Sequence, residues 1–168
     1  NMGEVTARYD QGIGDNDQLT ARYFSDEYHL DGVLNLKDLL TYADQAQINY
    51  YNSLISETHI FNPHLLNNFI LSYQIENSSR GPSASSIDVA DLGVNIWQPA
   101  YKQINQIQTS GYFTIGDNPN ALFQRANYTL TDDVRYQIGS HSLSFGFHGE
   151  ISKVDVNNLY RQPGNFTF

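Results

Sequence analysis

Between Leu122 and Ile138 the sequence repeats with a period of two. Even positions carry Leu122, Ala126, Tyr128, Leu130, Val134, Tyr136 and Ile138, while odd positions carry Phe123, Arg125, Asn127, Thr129, Thr131, Asp133, Arg135 and Gln137. Seven of the nine even positions are apolar, against one of the eight odd ones. A β-strand turns successive side chains to opposite faces, so this run is a strand with one greasy and one wet face. Strands in globular domains are usually about five or six residues long, and this one is far longer. Gly139-Ser140-His141-Ser142 then makes a tight turn. Alternation resumes with Leu143, Phe145, Phe147 and Ile151 against Ser144, Gly146, His148, Glu150 and Ser152. The spacing predicts a long β-hairpin over 122–156. Transmembrane β-barrels are assembled from such hairpins, with lipid on the apolar side and a wet lumen on the other.

Composition agrees with that hairpin. Charged residues make up 16% of the 168 residues, below the roughly 25% of ordinary soluble domains, and aromatics make up 13%. The missing charge is replaced by Asn, Gln, Ser and Thr. This balance also suits a carbohydrate-binding sandwich. There is no cysteine, which excludes a disulfide scaffold and thiolate metal sites. A net charge of −9 argues against nucleic acid, whose phosphates need clustered Lys and Arg. No run of about twenty apolar residues forms a transmembrane helix. Asn1-Met2-Gly3-Glu4 lacks the basic and apolar regions of a signal peptide, so an exported protein with this start is a mature product or an internal fragment.

Two further hairpins precede the first. Val5, Ala7, Tyr9 and Ile13 share a face, Gly14-Asp15-Asn16 turns the chain, and Leu19, Ala21 and Tyr23 return, giving a hairpin over 3–28. Ala46, Ile48, Tyr50, Leu54 and Ile60 share a face, Phe61-Asn62-Pro63-His64 turns the chain, and Leu65, Phe69, Leu71, Tyr73 and Ile75 return, giving a hairpin over 46–76. Between the hairpins lie long loops at 25–45 and 78–121. The first collects Asp26, Glu27, Asp31, Asp38 and Asp44, reads as a solvated acidic loop, and has room for a helical turn at Leu34–Tyr42. Tight turns (14–16, 61–64, 139–142) alternate with long segments (25–45, 78–121, 157 onward), which puts all tight turns at one rim. The expected fold is all-β: an antiparallel up-and-down meander of about six long strands. It forms a barrel or partial barrel with long loops at one end, a single segment over 1–168.

Several residues invite a chemical reading. Ser142, His141 and Asp133 make a nucleophilic triad on paper, but Ser142 lies in no Gly-x-Ser-x-Gly elbow and its neighbour His141 points to the other face. No catalytic residue is assigned, and the chain is expected not to be an enzyme. His59 and His64 flank a turn and His148 lies mid-strand, with no helical His-x-x-x-His pair or compact carboxylate cluster beside them, so no metal is expected. Asp15-Asn16-Asp17 and Asp117-Asn118 offer oxygens that calcium accepts, yet turn chemistry explains them. Gly12-Ile13-Gly14 lacks the rest of a phosphate loop. Arg125, Asp133 and Arg135 on the polar face read as register-holding charges, while Asp132 lies on the apolar face. Trp97, Tyr101, Tyr112 and Phe113 are the candidate ligand-binding residues, because aromatic faces stack on sugars and chelates; packing of the loop onto the rim is the competing role. No cofactor is implied.

Asp17-Gln18-Leu19-Thr20-Ala21-Arg22-Tyr23-Phe24 resembles the barrel strands of TonB-dependent outer-membrane receptors, particularly the large Oar-like group. So do the run Ser56–Asn67 and the run Gly139–Gly146, and Arg161–Phe168 is similar to a loop entering the next strand of such a barrel. The resemblance covers nearly the whole chain. It implies a bacterial outer-membrane transporter of about 22 strands with a plug in its lumen. It also implies uptake of a scarce small ligand (a metal chelate, cobalamin or an oligosaccharide) driven by an inner-membrane energy-coupling complex. The other implied partner is the lipid bilayer, with no nucleic acid. Six strands without a plug, an energy-coupling box or a barrel-terminating strand look like an interior slice of such a receptor. A slice has two unpaired edges, which self-association, recruited loops or closure into a small soluble barrel would satisfy. Two alternatives stay open: a self-contained β-barrel or sandwich that binds a carbohydrate or small ligand, and a small hydrolase.

Overall fold

The computed structural model describes residues 1–32, 44–83, 86–98, 106–116, 120–160, 162 and 164–168. Six long strands are β1 (Met2–Ile13), β2 (Asp17–Leu30), β3 (Asp44–Asn62), β4 (Leu65–Pro82), β7 (Ala121–Ile138) and β8 (His141–Asn158). Three short ones are β5 (Gln106–Thr109), β6 (Phe113–Ile115) and β9 (Asn165–Thr167). The long strands form one sheet in the order β1-β2-β3-β4-β7-β8, antiparallel throughout. The expected all-β meander is therefore what the chain folds into. No helix occurs among the described residues.

The tight turns follow from local chemistry. Gly14 (φ 64°) opens the three-residue connection between Ile13 and Asp17, and Gly139 (φ 56°) opens the two-residue connection between Ile138 and His141. Both angles lie in the left-handed region that glycine enters without a Cβ penalty. Between them Pro63-His64 joins Asn62 to Leu65, next to a bulge at Phe61. The Ile60 N–H donates to the Asn16 carbonyl and the Gln137 N–H to the His64 carbonyl, each at 2.8 Å. The first two turns are thus pinned to a neighbouring strand, and all three share one rim, here the near rim.

The strands run further at the far rim than alternation indicates. β2 continues through Ser25 to Leu30, β3 starts at Asp44, β4 reaches Pro82 and β8 ends at Asn158. The segment 78–121 is not structureless: β5 and β6 form a hairpin inside it, and β9 adds to β5 in parallel, with Ile107 beside Phe166. Among the described residues, that three-stranded sheet is the one departure from an antiparallel meander. The helical turn expected at Leu34–Tyr42 falls outside the described residues.

One face assignment reverses. Ala46, Ile48, Tyr50, Leu54 and Ile60 do share a face of β3. The register, however, sets Tyr50 beside Glu76 and Leu54 beside Ser72, on the polar side of β4. The apolar side of β4, with Leu71 and Tyr73, continues into β3 through Ile55 and Ser53. Hydrogen-bond register overrides the strand's own hydrophobic parity.

The sheet does not close. β1 and β8 make no contact, and both edges stay exposed along their length. Val89 and Ala121 are the buried apolar residues among those described, so this sheet has no core of its own. Phe145 and Phe147 are 60% and 63% exposed in this open sheet and form no core in it.

Candidate functional site

Register sorts the six strands into two continuous surfaces. The outward surface carries Tyr9, Ala21, Ile55, Leu71 and Leu130 side by side across five strands. The next outward row toward the far rim carries Ala7, Tyr23, Ser53, Tyr73, Tyr128 and Ile151. Soluble monomers rarely leave more than a few hundred Å² of contiguous apolar surface open. On β7 the greasy stretch runs from Tyr128 to Tyr136. Eight steps of about 3.3 Å make about 26 Å along the strand, or about 20 Å across a bilayer at the ~40° tilt of barrel strands. Membrane barrels present an apolar band about 25 Å tall, bordered by aromatic girdles.

The girdle at the far end is visible in contacts. The Tyr73 and Tyr128 rings lie 4.9 Å apart, and the Lys153 ammonium sits 5.6 Å from the Tyr128 ring centre. A lysine whose stem follows an apolar surface while its head reaches water marks a membrane boundary. Tyr51 donates to the Glu27 carboxylate at 3.0 Å on the same face. Beyond that level the outward face turns polar, through Asn77, Gln124 and Asp155.

A family model described as outer membrane beta barrel domain matches residues 1–168. The chain belongs to that family. It is a β-barrel protein of the bacterial outer membrane. No curated protein and no solved structure matches the chain. In outer-membrane barrels short turns face the periplasm and long loops the exterior, which orients the near and far rims of this barrel segment.

The inward surface is polar and cross-linked. Arg125 of β7 meets Glu76 of β4 at 2.5 Å, the register-holding role expected of a lumen arginine. The Asn68 carbonyl oxygen accepts from Ser56 Oγ at 3.2 Å and Thr58 Oγ1 at 3.1 Å. Thr131 and His148 join β7 to β8 at 2.9 Å. Asp10 takes hydrogen bonds from Thr20 Oγ1 and Arg8, each at 2.7 Å. Phe24 and Tyr50 meet edge to face with ring centres 5.9 Å apart. They line a shallow cavity of about 480 Å³ with Thr6, Arg22 and Asn52.

The aromatics singled out as candidates for ligand binding are not gathered. Trp97 lies in the connection that follows β4, Tyr112 in the β5–β6 turn and Phe113 in β6; Tyr101 falls outside the described residues. No ring contact joins Trp97, Tyr112 and Phe113 among the described residues. Tyr112 is 86% exposed, free to meet a solute at the far rim. As for the paper triad, Ser142 faces Gln137 and Asp133 faces Gly146, four residues further along β8, while His141 points to the opposite face.

One grouping contradicts the sequence reading. His59 does have carboxylates beside it. Asp17 lies directly across from His59, and Glu57 is two residues before it on the same outward face. One ligand atom from each lies within 4.8 Å of the others. Asp17 hydrogen-bonds His59 Nδ1. The sequence signal was Glu57-x-His59, an acid and an imidazole sharing a strand face. Asp17 is 42 residues away from His59, and only the register brings it in.

Proposed function

We propose that this barrel segment is an interior part of a TonB-dependent outer-membrane receptor, and that the whole receptor takes up a scarce small ligand. The observation that carries this reading is the pair of open edges. β1 runs toward the near rim and β8 away from it, so either edge accepts another antiparallel strand with lipid and lumen faces in phase. An amphipathic sheet that ends on two bare edges is costly in a bilayer unless further strands cover both. The resemblance of the 17–24, 56–67 and 139–146 runs to that receptor group supplies the name of the larger barrel. Trp97, Tyr112 and Phe113, in the segment between β4 and β7, together with Tyr101 of the same stretch of sequence, are the residues offered to a sugar, a cobalamin or a metal chelate. The reading contains no catalytic step, and its energy comes from an inner-membrane complex.

The test uses cells expressing the full-length gene. Uptake of labelled cobalamin, a ferric chelate and a maltooligosaccharide is measured with and without a protonophore. Uptake of one of them that stops when the proton-motive force collapses supports the receptor. Uptake that continues unchanged identifies a passive pore instead. A self-contained soluble binding protein would bind its sugar in buffer as the isolated 168-residue chain, without detergent.

A further inference from the structure

We propose that Asp17, Glu57 and His59 form a binding site for a divalent, zinc-like cation on the lipid-facing side of the near rim. Two carboxylates and an imidazole are a borderline donor set, suited to zinc and its neighbours and poor for calcium or magnesium, which prefer oxygen throughout. The sheet itself positions them. Asp17 and His59 are a cross-strand pair, and Glu57 and His59 are second neighbours on one strand. Zinc–ligand distances of about 2.0–2.2 Å put the donor atoms of one tetrahedral ion about 3.5 Å apart. The three atoms already lie within 4.8 Å of one another, so small side-chain rotations close the site. Water fills the fourth position, because Asp17 is the first residue of β2, at the water-facing edge of the band.

A second observation points independently to a cation. On the outward face of the long strands, the basic side chain among the described residues is Lys153, and it lies over Tyr128 near the far rim. Glu57 is flanked across the sheet by Leu19 and Phe69. Its polar neighbours are another carboxylate and the imidazole that Asp17 already engages. No lysine or arginine of the described chain offsets these charges, and acidic groups on a lipid-facing surface are unfavourable without a counter-ion. Asp132, the other outward carboxylate within the band, is handled differently: the Asn67 amide donates to it at 2.6 Å. His59 already engages Asp17; a dication held by all three supplies to Glu57 what the chain provides for Asp132.

The test takes the untagged full-length protein, with all its strands, in detergent micelles, stripped with a chelator. It is titrated with zinc chloride by calorimetry and with cobalt chloride by visible absorption. One ion binds per chain, with the d–d bands of a tetrahedral cobalt site. Asp17→Asn, Glu57→Gln and His59→Gln each weaken binding about tenfold or more. Asp132→Asn leaves it unchanged. Saturating zinc raises the unfolding midpoint of the wild type and not of Glu57→Gln. Absence of binding to the wild type overturns the proposal. So does affinity that survives in both Glu57→Gln and His59→Gln, which would place the ion elsewhere, as at His29 and Asp31. The cobalt spectrum of the wild type decides even where a variant fails to fold.

Discussion

β3 and β7 stand one strand apart in the same sheet and have nearly the same length, 19 and 18 residues. Each alternates greasy and polar. In β7 the greasy parity, Tyr128, Leu130, Val134 and Tyr136, faces outward. In β3 much of it, Ile48, Tyr50 and Leu54, faces the lumen, and the outward side carries Ser53, Ile55, Glu57 and His59. The difference teaches that parity fixes two faces but does not say which one meets lipid. Neighbours decide that, through the ladder of backbone bonds. A strand held between two partners tolerates a mixed outward face, and in β3 that tolerance is where Asp17, Glu57 and His59 meet.

The comparison breaks most visibly under an added charge. Leu130→Arg on β7 puts a guanidinium into the apolar band. In urea unfolding of the vesicle-inserted protein we expect a loss of about 2–3 kcal/mol, as for charges placed deep on the lipid face of a barrel. Leu54→Arg on β3 is expected to cost less than about 1 kcal/mol. That residue is inward, and its penalty comes from Arg22 directly across the pair. Salt should reduce the second loss and spare the first. Equal losses at the two sites would mean that the face assignment of β3 is wrong.

Next in size is crowding behind β7. A Cβ on Gly146 would lie 2.5 Å from the Asp132 carbonyl oxygen and closer still to the Asp133 carboxylate. Gly146→Ala must therefore shift backbone, and about 1–3 kcal/mol of destabilisation follows. Gly12, on the inward face of β1, has open space around its Cβ position. Gly12→Ala is expected to be neutral or slightly stabilising in the same assay, since it narrows the unfolded ensemble.

Much of this arrangement could be read in the residues beforehand, and the failures share one cause. The β7–β8 hairpin was legible because it spans the band with a single parity and turns at a glycine. The hairpin reading stops at Tyr28, with a loop overlapping it from Ser25, because the greasy parity of β2 switches there, from Leu19, Ala21 and Tyr23 to Tyr28 and Leu30. β8 does the same, from Ile151 to Val154 and Val156. Past the girdle both faces meet water or loops, so the rule that keeps apolar side chains outward lapses while backbone pairing continues. The same logic hid the Asp17–His59 pairing, since a register between distant strands leaves no local mark. The aromatic candidates were found by type alone, and type does not bring Trp97, Tyr112 and Phe113 together.

The smallest effect separates the two strands by mechanism. On β7, Arg125 holds Glu76 through charge, with side chains 44% and 32% exposed. On the β3 side, Asn68 of β4 holds Ser56 and Thr58 through neutral hydrogen bonds. Arg125→Gln is expected to cost at most about 1 kcal/mol, because a half-exposed ion pair is already weakened by water. Asn68→Ala is expected to cost about 0.5–1.5 kcal/mol. Magnitudes this close do not discriminate, but ionic strength does. Raising salt toward 1 M shortens the screening length to about 3 Å and should erase most of the Arg125 effect. The Asn68 loss should persist, since neither partner carries a charge. Unfolding midpoints of both variants at low and high salt measure this. A salt-independent Arg125→Gln loss would mean that the guanidinium acts through its packing on Phe123, whose ring centre lies 5.3 Å away, and not through Glu76.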